Sequence, residues 1–92
     1  GALKYRASRT KPKLAAFVVD GLSDVGSAEV RRLRATGFYN VGFCGLNTAA
    51  GSRLAQQSGA RFYPVDPTDV DAVEAAIADA TAHWGRMDMI IK

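Results

Sequence analysis

The 92-residue chain has one cysteine, one histidine, one tryptophan and three prolines. A single thiol can form no internal disulfide and no cysteine-built zinc site, and Cys44 lies within an apolar stretch that assigns it to the core. The lone His83, beside Trp84, reads as a solvated or capping residue at a helix end. The longest unbroken apolar run is the six residues of 14–19, far short of the ~20 needed to span a bilayer, so no transmembrane segment is expected. Acid is missing from the first fourteen residues, where Lys4, Arg6, Arg9, Lys11 and Lys13 give +5. The remainder holds seven basic and nine acidic residues, a net −2. The basic character therefore belongs to residues 1–13, and the body, residues 14–92, offers no face suited to nucleic acid.

Residues 1–13 show no apolar periodicity and contain Pro12, which predicts an extended arm. Three readings of it stay open: a solvated or appended tail, a contact for an anionic partner, or an organelle-targeting segment rich in Arg and Ser and free of acid. It lacks the apolar centre of a secretory signal. The expectation is an intracellular protein, with mitochondrion or plastid as the organelles such a segment would address.

What is present is a regular alternation. Leu14–Val19 has the pattern of a strand covered on both faces. A turn at Asp20–Asp24 leads into a helix over Val25–Ala35, where Arg31, Arg32 and Arg34 suit the carboxyl end of its dipole and Gly37 suits a stop. Phe38–Cys44 is a second strand. Thr48 is the expected cap of a helix over 49–58, which Gly59 ends. Arg61–Val65 is a third strand, with Pro64 pointing to a sheet edge. Thr68 or Asp69 caps a helix from about Val70 to Trp84, whose apolar side is Val70, Val73, Ala76, Ile77, Ala80 and Trp84. Met87–Ile91 is a fourth strand. The order β-α-β-α-β-α-β implies an α/β fold with a parallel sheet and right-handed crossovers. Phe17, Phe38, Tyr39, Phe43, Phe62, Tyr63 and Trp84 are assigned to core packing. Asp66, Asp69 and Asp71 are read as turn and helix-start charges and not as a metal site.

Three segments carry a family resemblance. Ser52–Asp66 (SRLAQQSGARFYPVD) looks like the second helix, third strand and adenine-contacting Asp of the short-chain dehydrogenase/reductase family. Asp66-Pro67-Thr68-Asp69 resembles its D-V-T-D turn, and Trp84–Ile91 (WGRMDMII) resembles its F-G-R-[LI]-D-x-L-V entry into strand four. The resemblance covers residues 14–92 and implies a small Rossmann-like sheet of four strands in the order 3-2-1-4, with two helices on one face and one on the other.

The phosphate turn departs from that pattern. The family motif T-G-x-x-x-G-x-G, aligned on its last glycine, falls on Val19-Asp20-Gly21-Leu22-Ser23-Asp24-Val25-Gly26. Only Gly26 matches, and Asp20 and Asp24 occupy the other glycine positions. The cofactor-binding residues that the resemblance implies are Gly21, Ser23, Gly26, Asn47 and Asp66. An NAD(P) cofactor is disfavoured by the two carboxylates, because two unit charges about 4 Å apart repel by ~4 kcal/mol at an effective dielectric of about 20, and by less in solvent. A nucleotide-triphosphate P-loop is excluded, since Ser27 stands where its lysine must be. At the end of strand two, Gly45-Leu46-Asn47 offers neither the acid of an NAD site nor the Arg of an NADP site. Lys92 stands where the family has the first Asn of N-N-A-G. No catalytic Ser and Tyr-x-x-x-Lys set follows, and Tyr5, Tyr39 and Tyr63 have no lysine four residues on.

Three functions fit these residues. The first is a non-catalytic structural or accessory subunit of a larger protein assembly, meeting other subunits through the strand-four edge (Met87–Ile91) and the basic arm (Lys4–Lys13). The alternative is the NAD(P)-binding half of an oxidoreductase completed by another chain or a further segment. A nucleotide sensor without chemistry is the third. The first is the expectation.

Overall fold

The structure is a computed structural model that describes residues 13–92, so the arm assigned to residues 1–13 lies, but for Lys13, outside the described residues. The elements are β1 (Leu14–Val18), α1 (Asp24–Ala35), β2 (Tyr39–Cys44), α2 (Thr48–Ser58), β3 (Arg61–Tyr63), α3 (Val70–Trp84) and β4 (Met89–Ile91). The strands form one parallel sheet in the order β3-β2-β1-β4. This is a small Rossmann-like α/β architecture, with the parallel sheet the alternation predicts and the strand order the resemblance implies. Among the described residues no helix is long and apolar enough to cross a membrane.

Strand periodicity divides the core into two layers. Ala16 and Val18 of β1 and Val41 and Phe43 of β2 point to one face, where they meet Val30, Leu33 and Leu54 of α1 and α2. Phe17 and Cys44 point to the other, against Val73, Ala76 and Ala80 of α3. Successive side chains of a strand face opposite ways, so an unbroken apolar run is what a strand clad on both sides requires. The aromatic rings divide in the same way. Phe43 packs against Phe62 at 5.3 Å between centroids under α1 and α2, and Phe17 against Tyr63 at 5.8 Å under α3.

Local chemistry sets the element ends. Ser23, Asn47 and Asp69 each accept a hydrogen bond from a backbone N–H of the first helical turn, and Gly59 and Gly85 close α2 and α3 in the left-handed conformation. The cap of α2 is thus Asn47 and not Thr48, which is the first helical residue. β3 stops at Tyr63 because Pro64 has no N–H to give and the Val65 N–H turns back to the Tyr63 carbonyl at 2.8 Å. β4 starts only at Met89, because the Ala15 N–H is taken by the Asp88 carboxylate at 2.8 Å and not by a backbone carbonyl.

Two packing expectations fail. Phe38 is 70% exposed, since it precedes the first paired residue of β2 and no layer covers it. Val70 is 66% exposed, because the first turn of α3 projects past the carboxyl end of the sheet.

Candidate functional site

In an open parallel sheet, ligands bind outside the carboxyl ends of the strands where the strand order reverses. Here β1 leads through α1 and α2 towards β3, and α3 then returns on the opposite face to place β4 on the other side of β1. Two clefts open at that reversal. One, of about 210 Å³, is lined by Val18, Asp20, Ser23, Val25, Gly26, Glu29, Ile91 and Lys92. The other, of about 510 Å³, lies between β4 and α3 and has Val19, Asp20, Pro67, Val70, Ile77 and Ile90 in its wall, with Thr68, Glu74 and Lys92. Asp20 and Lys92 border both.

The turn from β1 to α1 is closed on itself. The Gly21 N–H donates to the Cys44 carbonyl at 3.0 Å, which hangs the turn from the end of β2. The Ser23 hydroxyl donates to the Asp20 carbonyl at 2.9 Å and its oxygen accepts the Gly26 N–H at 2.9 Å. Ser23 therefore occupies a helix-start N–H that a phosphate oxygen would need, and Asp24 adds a negative charge to the first turn. One N–H at the positive end of the α1 dipole is thus spent within the chain, and one carboxylate of the chain stands in its first turn.

The two glycines of the turn have packing reasons of their own. A Cβ on Gly21 would lie 2.5 Å from Phe43 Cβ and 2.6 Å from its Cδ2. One on Gly26 would overlap the Asp20 carbonyl oxygen and come within 2.7 Å of its carbon and 2.9 Å of Ser23 Oγ. Neither has a positive φ. Close approach of α1 and β2 to the turn is sufficient to require glycine at both positions, whatever passes in front of it.

The remaining predicted site residues are placed as follows. Asn47 caps α2 through Oδ1, which accepts the Ala50 N–H at 3.0 Å. Asp66 Oδ1 accepts from the Thr68 N–H and hydroxyl at 2.9 and 2.8 Å, and these bonds, the backbone one foremost, hold its carboxyl below the usual range. Ser23 and Gly26 share the smaller cleft, whereas Asn47 and Asp66 line neither. Asp69 caps α3, and among the described residues no group of three or more His, Cys, Asp or Glu side chains is disposed to hold a metal.

Sequence reasoning missed the apolar rim of this crevice. Val25 is 77% exposed at the start of α1, and with Val70 and Ile90 it surrounds the carboxyl end of β1 and β4. These residues fit a helical or strand-like apolar pattern, so nothing in the pattern marks them as surface. The G-R-x-D segment, by contrast, has a plain structural use. Arg86 forks onto Asp88 at 2.8 and 2.7 Å, and Asp88 accepts the Ala15 N–H, which ties the start of β4 to the start of β1. No family model matches the chain.

Proposed function

We propose that the chain is a non-catalytic accessory module of a larger protein assembly, built on a Rossmann-like sheet whose phosphate turn serves the fold. The observation that carries this reading is the Ser23 bridge: one hydroxyl joins the Asp20 carbonyl to the Gly26 N–H and takes the donor a pyrophosphate would use. Asp20, on the border of both clefts, adds a carboxylate that a dinucleotide would have to approach. The rim of exposed apolar residues and the outer edge of β4, which has no strand neighbour among the described residues, are surfaces through which such a module docks. The basic arm is a second attachment point.

The decisive experiment is calorimetric titration of the chain with NADH and with NADPH. No heat of binding up to about 1 mM ligand is the expected result, and a dissociation constant in the micromolar range overturns the reading. A second reading, the NAD(P)-binding half of an oxidoreductase, is favoured by one observation: the two clefts lie at the reversal of strand order, where this architecture holds its ligands. Under it, replacing Asp20 and Asp24 by Gly strengthens nucleotide binding at least tenfold. No gain counts against the turn as a site.

A further inference from the structure

Opposite helical layers of the sheet carry opposite charge. α1 and α2 together hold a net +2, whereas α3 holds Asp71, Glu74 and Asp79 and a net −3 with His83 neutral. Within the basic layer the arginines are not equivalent. Arg32 is paired with Glu29 at 2.7 Å. Arg34 is half-buried and spent on the Ser58 and Tyr39 carbonyls at 3.0 and 2.8 Å. Among the described residues Arg31 hydrogen-bonds only the neutral Gln57, at 2.8 Å, and Arg53 has no ion pair. Residues 1–12 contain no acid, so they supply no ionic partner either.

Arg31 and Arg53 border the same depression between α1 and α2, of about 210 Å³, with Leu22, Ala50 and Leu54 beneath them and Gln57 at its end. A second depression of about 240 Å³ continues it past Arg31 and Gln57. The groove thus has an apolar floor and two cations on its rim that lack counter-charges. A guanidinium presents a planar fork of donors that matches a carboxylate.

We infer that the α1–α2 groove docks an acidic amphipathic segment of a partner protein, with carboxylates on Arg31 and Arg53 and an apolar side chain over Leu22 and Leu54. The inference rests on the accessory-module reading and gives it a partner chemistry and a place. A protein segment fits better than a nucleic acid. The body is net negative and two arginines on a short groove neutralise few phosphates, whereas an apolar floor has no use for a sugar-phosphate backbone. No residue of β4 lines the groove, so the two surfaces are distinct.

The test uses the full chain, isotopically labelled, and resonance-resolved NMR, because the basic arm attracts any polyanion. The probe is a blocked peptide alternating glutamate and leucine. Its controls are the same peptide with lysine for glutamate and an oligouridylate of equal charge. The glutamate peptide is expected to move the Gln57 side-chain amide and the Arg31 and Arg53 Nε–H signals. That response should weaken at least tenfold in R31E/R53E and on raising salt, with the lysine peptide silent. Should the charge-reversed chain fail to fold, R31Q/R53Q carries the same comparison with a smaller loss.

Silence at these resonances, an unchanged response in the variants, or a response to oligouridylate at lower concentration overturns the inference. So does concentration-dependent shifting without peptide, which would seat the acidic α3 of a second copy in the groove. NADH added to the same sample reads the other claim separately. Movement of Gly21, Asp24 and Asp66 refutes the accessory-module reading, whereas silence of the groove towards the peptide refutes only the docking site.

Discussion

Replacing Gly26 by Ala separates two accounts of that residue by the sign of the effect. Gly26 lies in the first turn of α1, and on helix propensity alone Ala is better there by ~1 kcal/mol. The geometry predicts the opposite. The new methyl would overlap the Asp20 carbonyl oxygen and approach its carbon to 2.7 Å. This obstacle is backbone and cannot rotate away. Asp20 is held by the Ser23 hydroxyl at 2.9 Å, and the next peptide by the Gly21 bond to Cys44 at 3.0 Å.

Overpacking commonly costs ~1–3 kcal/mol, and with backbone as the obstacle a net loss of about 3 kcal/mol is expected. Against a total stability on the order of 5–14 kcal/mol for a chain of this size, that loss is large. It corresponds to a fall in Tm of roughly 12–24 °C. Urea unfolding followed by Trp84 fluorescence and by circular dichroism measures it. Gly37→Ala is the control. Gly37 has φ +77° with no atom within 4 Å of an added Cβ, so its substitution carries only the left-handed penalty of about 1 kcal/mol. A Gly26→Ala chain as stable as the parent would refute the close-approach account and return Gly26 to the role of a ligand-facing glycine.

Three further outcomes follow from the same contacts. Ser23→Ala removes the cap of α1 and should cost about 1 kcal/mol by urea unfolding, and no loss would refute the Ser23 bridge as a structural device. Burial pushes the Cys44 thiol up to about 11, so its alkylation at pH 8 should proceed only through unfolding and be released by denaturing urea; rapid labelling of the native chain would place Cys44 at a surface. Bonds from Arg32, Thr68, Tyr63 and Arg86 hold the carboxyls of Glu29, Asp66, Asp79 and Asp88 respectively below the usual range. Folded-state values below the unfolded ones mean stabilisation that is complete above about pH 5 and withdrawn as pH falls through the lowered values. Tm should therefore stay level from pH 7 to about 5 and drop below about 4; a Tm unchanged to about pH 2 would show these bonds to be idle.

The α/β order and the extent of α3 were legible in the sequence because each rests on local signals, whereas the strand sequence 3-2-1-4 was implied by the family resemblance. The six apolar residues of 14–19 announce a strand clad on both sides, Thr68-Asp69 marks the start of α3, and Gly59 and Gly85 mark helix ends, whereas the cap of α2 is Asn47, one residue before the expected Thr48. Asp20 and Asp24 were legible as carboxylates in the turn between β1 and α1, at positions where the family that the chain resembles has glycine.

Tertiary structure alone decided the rest. Whether Val25, Val70 and Phe38 are covered depends on where the sheet stops, which periodicity along one helix or strand does not encode. That Gly21 and Gly26 answer to Phe43 and to the Asp20 carbonyl, and that Ser23 spends the Gly26 N–H, are facts about groups brought together across the turn. The pairing of Arg31 with Arg53 across 22 positions is of the same kind. Patterns along the chain report which residues prefer to be buried, and only the packing of elements decides which surfaces remain to meet something else.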